Sequence, residues 1–129
     1  MNPIQLFSLA SRQAEWLSIR QEVVASNIAN VNTPEFRAKD ITPFAAVLDD
    51  TQSTAMARTQ PGHIQGFSGS DDIEVREAAL DQEIGVQESG NTVSLTDELT
   101  KGGEIQRQYQ LNANLVSSFH RMMLQTVKR

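Results

Sequence analysis

The sequence predicts a mainly α-helical fold in which long amphipathic helices at the two ends pack as a coiled-coil-like pair. Two observations predict it: apolar residues recur at helical spacing near both termini, and the stretch between them is polar and acidic. We expect a single domain over residues 1–129, with an N-terminal helix over 1–33 and a C-terminal helix over 94–129. The region 34–93 should be an extended acidic loop region, an irregular middle that could hold a short β-hairpin.

The N-terminal helix has a clear start, a wide apolar face and a clear end. Asn2 can cap it, and Pro3 suits the first helical position. Pro34 disfavours helix at Thr33, so the polar residues before it should end the helix. Three rows form the apolar face: Phe7, Ala14, Gln21 and Ile28; Ala10, Leu17, Val24 and Val31; and Leu9, Trp16 and Val23.

The middle of the chain contains little that could build a core. Residues 49–94 include only nine of the types Val, Ile, Leu, Met and Phe in 46 positions. Such a composition barely offsets the entropy lost on ordering the chain. Residues 73–76 alternate apolar and polar side chains, which indicates a short strand.

The C-terminal helix should begin near Ser94 or Thr96, with Asp97 and Glu98 in its first turn, where acids are favoured. Gly102 and Gly103 weaken the helix there, and we expect a kink or a frayed start. The apolar stripe runs at spacings of four and three: Ile105, Tyr109, Asn112, Val116, Phe119, Met123 and Thr126.

Charge is unevenly distributed along a chain whose net charge is −5. Residues 1–40 are neutral, residues 41–98 carry eleven acids and two bases, and residues 99–129 carry five bases and one acid. Nucleic acid is therefore a poor partner for such a surface, because its binding rests on clustered basic side chains that neutralise phosphates. The pattern is typical either of a solvated acidic loop beside a basic helix end or of head-to-tail charge matching between subunits.

Catalytic chemistry is not apparent. His63 and His120 have no second histidine at metal-ligand spacing, cysteine is absent, and the adjacent acids Asp49-Asp50 and Asp71-Asp72 are best explained as solvated loop charges. No cofactor, metal or enzymatic activity is expected. No apolar run approaches the roughly 20 residues of a membrane helix, and no cleavable signal peptide is visible.

Residues 25–36, which read ASNIANVNTPEF, resemble the N-terminal signature of the bacterial flagellar axial proteins, S-x-N-[IL]-A-N followed by T-P-G-[FY]. Glu35 occupies the usual glycine position and would be strained if the turn needs a positive φ. The short chain points to a proximal member of the flagellar basal-body rod proteins. Residues 56–64, and 90–95 with Tyr109, favour one proximal rod subunit over its sister FlgC. The signature positions are Ser26, Asn27, Ile28, Ala29, Asn30, Thr33 and Pro34.

The resemblance implies a structural subunit that polymerises through its terminal helices into the proximal motor rod, or drive shaft. It implies contacts with itself, with FlgC-like and distal rod proteins, with the rod-to-ring junction protein and with the membrane-embedded ring. It also implies export by the flagellar type III apparatus into the periplasmic rod without a cleaved signal, and helix ends that order only on assembly. A non-axial helical adaptor or export chaperone is the alternative from another class.

Both apolar stripes are candidates for the assembly interface. They could instead pair the two helices within one subunit, and the residues alone leave both arrangements open. Trp16 lies off the main seam, which favours a partner contact. Asn27, Asn112 and Gln21 could fix axial register between subunits, as a buried polar residue does in a coiled coil, whereas Asn30 and Asn32 suit capping and turns. The predicted interface residues are Phe7, Ala14, Trp16, Leu17, Val24, Ile28, Ile105, Tyr109, Val116, Phe119 and Met123.

Overall fold

The structure, a computed structural model, describes residues 3–51, 73–80 and 86–127. Its elements in chain order are helix α1 (Pro3–Ala29), strand β1 (Lys39–Ile41), helix α2 (Phe44–Thr51), strand β2 (Val75–Glu77) and helix α3 (Leu95–Val127). This confirms the mainly helical fold with long terminal helices that pack against each other. The proposed cap Asn2, the segment 56–64, His63 and Asp71-Asp72 lie outside the described residues.

Helices α1 and α3 run antiparallel. The ring of Phe7 meets the ring of Phe119 at one end of the pair. Towards the other end Arg20 pairs with Glu104, with 3.7 Å between its Nη2 and the carboxylate Oε2. Because the α3 residue number falls as the α1 number rises, the first residues of α1 and the last residues of α3 lie at the same end of the pair. We call this the terminal half, and the other end, which carries the sheet, the sheet half.

The middle of the chain adds a small antiparallel sheet beside the helix pair. Asp40 in β1 is opposite Arg76 in β2. The pairing extends by one bond at one side, where the Thr42 amide donates to the Glu74 carbonyl at 3.0 Å. The predicted strand at residues 73–76 is therefore confirmed, with observed bounds of Val75–Glu77. Its partner strand β1 precedes α2 along the chain and is not joined to β2 by a tight turn.

The apolar core lies in the sheet half. It is formed by side chains of α1, β1, α2 and α3 that pack together: Trp16, Leu17, Val23, Val24, Ile41, Val47 and Ile105. Ile19, Ile28, Phe44 and Ile73 pack around it. Helix α2 was not predicted, because it is short and lies in a region with an acidic composition. It follows Pro43, whose carbonyl accepts the Ala46 amide at 3.0 Å, and it buries Val47.

Helix α3 begins where the sequence predicts. The Ser94 carbonyl accepts the amide of Glu98 at 3.0 Å, the first bond of the helix. The frayed start expected at Gly102 and Gly103 is wrong, because the helix continues through both residues. A Cβ added at either glycine would meet no atom within 4 Å. The cost of two glycines is offset by the contacts that residues on both sides of them make with the rest of the subunit.

The chain leaves α1 through a turn with an unusual backbone. Helix α1 ends at Ala29, and Glu35 has φ 60°, in the left-handed region that favours glycine. The Glu35 amide donates to the Ser89 carbonyl at 2.9 Å, which holds this turn against the segment before α3. Gly90, with φ 79°, lies against it, and a Cβ there would come within 3.4 Å of the Glu35 Cα. The strain expected from the glutamate at this position is therefore present.

Replacing Glu35 with glycine should raise the free energy of unfolding by about 0.5–1 kcal/mol, because relief of the left-handed strain exceeds the added freedom of the unfolded chain. Asn32→Gly is the matched control, since Asn32 has a negative φ in the same turn. It should lower stability instead. Urea denaturation of the two variants measures the difference, and a destabilised Glu35→Gly protein would contradict the assigned turn geometry.

Candidate assembly surface and the buried polar network

A fully buried asparagine joins α1 to the sheet. The Asn27 Nδ2 donates to the Lys39 carbonyl at 2.8 Å, and the Lys39 amide donates back to the Asn27 Oδ1 at 3.0 Å. The side-chain amide thus pairs with β1 as a neighbouring strand residue would. Both polar atoms of Asn27 are therefore used within the subunit, where the sequence had suggested a bond to a neighbouring subunit.

The same asparagine also joins α1 to α3. Its Nδ2 donates to the Oε2 of Glu98, a buried carboxylate, at 3.1 Å. Lys101 lies one turn further along α3 and donates to the other Glu98 oxygen at 3.0 Å. The Lys101 Nζ is also 3.8 Å from the Asp40 carboxylate in β1. We call Asn27, Lys39, Asp40, Glu98 and Lys101 the buried polar network, and it connects α1, β1 and α3.

A second buried asparagine closes the end of α1. The Asn91 Nδ2 lies 2.9 Å from the Asn30 carbonyl, 3.0 Å from the Val31 carbonyl and 2.8 Å from the Thr33 carbonyl. Its Oδ1 accepts the Val93 amide at 2.7 Å. These carbonyls belong to the turn that follows Ala29, so Asn91 holds this turn against the segment that precedes α3. Sequence reasoning missed this role, although residues 90–95 stood out in the family resemblance.

Asn30 makes the turn-forming bonds that its position predicts. Its Nδ2 donates to the Ser26 carbonyl at 2.8 Å, and its Oδ1 accepts the Thr33 hydroxyl at 3.1 Å. Asn32 is exposed and makes no side-chain bond to the residues that the structure describes. Ser26, Ala29 and Pro34 are also exposed, so the signature contributes its buried polar contact through Asn27.

Four of the predicted interface residues lie in the core of the subunit: Trp16, Leu17, Val24 and Ile105. Trp16, which was expected to contact a partner, makes the following contacts within the subunit. Its indole Nε1 donates to the Thr42 carbonyl at 2.8 Å, and its ring lies 5.7 Å from the ring of Phe44. The guanidinium group of Arg20 lies over the Trp16 ring, with its Cζ 5.2 Å from the ring centroid. Trp16 thus packs against the start of α2, a contact that the periodicity of the sequence does not predict.

The terminal half of the helix pair has a different character. Here α1 and α3 leave between them an open apolar groove of about 570 Å³. The groove is lined by Phe7, Ala10, Ser11, Ala14, Tyr109, Asn112, Ala113, Val116, Ser117 and His120. Small residues form much of its floor and walls. The rings of Phe7 and Phe119 meet edge to face at 5.6 Å beside it. Of the other predicted residues, Met123 is exposed and Ile28 packs against the core.

Asn112 is buried between the helices within one subunit rather than between subunits. Its Nδ2 donates to the Ala10 carbonyl at 2.8 Å. Its Oδ1 is buried and has no hydrogen-bond partner among the residues that the structure describes. An unsatisfied buried acceptor costs about 1–3 kcal/mol, so Asn112 lowers the free energy of unfolding of the single subunit.

Over residues 3–51, 73–80 and 86–127, no group of His, Asp and Glu side chains is placed to hold a metal ion. None of the helices in the same ranges is long and apolar enough to cross a bilayer. The features that the fold does provide are a rigid polar connection at the sheet half and an apolar surface at the terminal half. They define a protein built on a pair of long helices, with an exposed apolar surface that is suited to contact with other proteins.

Comparison with known proteins places this helix pair in a family. The family described as Flagella basal body rod protein matches residues 15–37, which include Asn27 and the turn after α1. The flagellar basal body rod protein FlgB of Agrobacterium fabrum is 65% identical over 100% of this chain and 97% of its own length. FlgB of Escherichia coli is 35% identical over 76% of this chain and 75% of its own, and FlgB of Bacillus subtilis is 34% identical over 71% and 69%.

The chain therefore belongs to the flagellar basal body rod proteins, and it is most like FlgB. This confirms the family that the sequence signature indicated.

Removing the Asn27 side chain should strongly destabilise the subunit. In Asn27→Ala the Lys39 amide, the Lys39 carbonyl and the Glu98 carboxylate lose a buried partner, so the free energy of unfolding should fall by about 3 kcal/mol. Asn32→Ala, which removes an exposed asparagine five residues on, should change it by less than about 0.5 kcal/mol. Equal urea midpoints for the two variants would show that the buried polar network does not hold the helices.

Replacing Asn112 with leucine should stabilise the isolated subunit by about 1 kcal/mol, because it removes an unsatisfied buried acceptor and adds apolar contact. The Ala10 carbonyl keeps its bond within α1. Asn114→Leu, at an exposed position half a turn away, is the control and should leave stability nearly unchanged. Thermal denaturation of both proteins gives the comparison, and a large loss of stability in Asn112→Leu would contradict this account.

Proposed function

We propose that this chain is a non-enzymatic structural subunit that polymerises through its terminal helices to form the proximal part of the flagellar motor rod. The apolar groove in the terminal half carries the proposal. A subunit of a rigid shaft needs a surface that neighbouring proteins can cover, and the groove offers one on two helices that are already paired. Membership of the rod family supports the same role.

The distribution of packing supports assembly through the terminal half in particular. The core cluster lies in the sheet half, where β1 and α2 cover the helix pair. In the terminal half the large side chains of Tyr109, Leu115 and Leu124 remain at least half exposed. Leu115 lies about 120° around α3 from Tyr109, so the terminal half exposes large apolar side chains on two faces that neighbouring proteins can cover.

The predicted interface residues divide into two roles under this proposal. Trp16, Leu17, Val24 and Ile105, with Ile28 beside them, hold the two helices in one subunit, so that the terminal half is presented as a fixed surface. The remaining residues form the surface that neighbouring subunits cover: Phe7, Ala14, Tyr109, Val116, Phe119 and Met123. The whole chain, 1–129, acts as one rod-subunit domain.

The proposed partners follow from the family. They are further copies of the chain, FlgC-like and distal rod proteins, the rod-to-ring junction protein and the membrane-embedded ring. We place the subunit in the periplasmic rod, after export by the flagellar type III apparatus without cleavage of a signal. The signature over residues 25–36 supports this placement, because it is shared by proteins that assemble along the flagellar axis.

Two alternatives remain to be compared with this proposal. The sister proximal subunit FlgC shares the N-terminal signature, but the 65% identity to a FlgB protein over the full chain favours the FlgB type. A non-axial helical adaptor or export chaperone would use its groove for one partner and would not enter the basal body. The position of the labelled protein in isolated basal bodies separates this alternative from the proposed role.

Phe119→Asp should reduce incorporation into basal bodies at least tenfold and abolish swimming in a strain that lacks the wild-type gene. The substitution places a charge beside the groove and removes the edge-to-face contact with Phe7. Incorporation is measured by quantifying epitope-labelled protein in purified basal bodies, and imaging of the label tests its position next to the membrane-embedded ring.

The control Asn114→Asp adds the same charge on an exposed part of α3 outside the groove, and it should assemble normally. Circular dichroism of both purified proteins shows whether each retains its helices, so a folding defect is separated from an assembly defect. Normal swimming of the Phe119→Asp strain, or a label found outside the basal body, would overturn the proposed role.

A further inference from the structure

Helix α3 carries a second apolar surface that the groove does not include. Leu111, Leu115 and Met122 are 70%, 51% and 54% exposed. At about 100° per residue they fall within about 40° of one another, so they form one row along the helix. We call this row the ridge. Ala113 and Ser117, which line the groove, lie about 160° around the same helix from the ridge.

We propose that the ridge of one copy of this chain docks into the groove of a second copy, so that the protein associates with itself through two different faces of α3. This rests on the proposed role as a rod subunit and specifies which of its surfaces meet. Ridge and groove lie on opposite flanks of one helix and cannot meet within one molecule. When two copies dock, one keeps a free groove and the other a free ridge, so the contact extends into an open assembly rather than a closed dimer.

The shapes of the two surfaces are complementary. The ridge presents two leucines and a methionine, whereas the groove is lined by small side chains such as Ala10, Ser11 and Ala14. Large side chains of one helix packing between small ones of a neighbouring pair is the arrangement by which helices reach close contact. The ridge is also long enough to follow the groove, because both extend over about three turns of α3.

The charges of the two surfaces are opposite. On α1, Glu15 follows the groove residue Ser11 by one turn and Glu22 lies two turns further towards the sheet half, so they form an acidic rim at that end of the groove. Both are exposed and in no ion pair with the residues described. From residue 105 to 127, the α3 segment that carries the ridge contains Arg107 and Arg121 and no acid. A second copy that seats its ridge in the groove brings this basic segment next to the acidic rim, which favours a copy of the chain as the occupant.

Disulfide crosslinking tests the proposal directly, because the chain contains no cysteine. The full-length variant carrying both Ser11→Cys in the groove and Leu115→Cys on the ridge is expressed in place of the wild-type protein, and basal bodies are isolated and mildly oxidised. We expect a ladder of dimers, trimers and larger species that collapses on reduction. Each single variant should remain monomeric, as should Leu115→Cys combined with Ser8→Cys, an exposed α1 position outside the groove.

Three results would overturn the proposal: labelled protein present in basal bodies with no ladder, single variants that form dimers as efficiently as the double variant, or a crosslink to a different flagellar protein. In each case the protein is still in the rod, so the proposed function stands. Protein absent from the basal body in its unsubstituted form would instead contradict the proposed function.

A second pair of variants decides the question if the cysteine substitutions themselves prevent assembly. Leu115→Gln should lower incorporation at least tenfold while the purified protein keeps its helix content, because Leu115 is exposed in the single subunit. Leu99→Gln changes another leucine of α3 that is more than half exposed and lies outside the ridge, and it should assemble normally. Equal incorporation of the two variants would exclude the ridge as a contact.

Discussion

The hydrogen bonds of Asn27 are the contact on which the rest of the structure depends. One side chain satisfies the amide and carbonyl of Lys39 in β1 and donates to the buried carboxylate of Glu98 in α3. Apolar packing alone would let two long helices slide past each other by a turn, because it is not directional. A buried amide that must meet three fixed partners allows one register, and this register in turn sets where Phe7 meets Phe119 at the far end of the pair.

A consequence of this arrangement is that the two halves of the helix pair differ in how well they are covered. In the sheet half, α1 and α3 are joined by the buried polar network and covered by β1 and α2, which bury Leu17 and Val47 completely or almost so. In the terminal half the same helices have only each other, and an apolar groove remains open between them. The fixed half thereby holds the open half in a shape that a neighbour can recognise, which lowers the entropy cost of association.

The sequence predicts the helices well and their surroundings poorly. Heptad spacing identified both helices because periodicity depends on side-chain order alone, and Leu17 and Ile105 do meet in the core. Periodicity gives the direction of a side chain but not its partner, so Trp16 was assigned to a neighbouring subunit when it faces Thr42 and Phe44. Helix α2 escaped notice because eight residues are too few to show a period.

The asparagines show the same limit for the functional site. Asn30 could be assigned to turn formation, since its bonds to Ser26 and Thr33 are local. Asn91 bonds to carbonyls about 60 positions earlier in the chain, and no spacing rule reaches so far. The case of Glu35 lies between these two. The glycine that the family has at this position predicts the backbone strain at Glu35, but only the structure shows that Gly90 lies against Glu35 and leaves room for it. Because Gly90 has no side chain, the backbone at Glu35 can pack closely against it. The turn between α1 and β1 then places Lys39 where its amide and carbonyl bond to Asn27. The local strain after α1 is thus part of what fixes the helix register and, through it, the surface offered to neighbouring proteins.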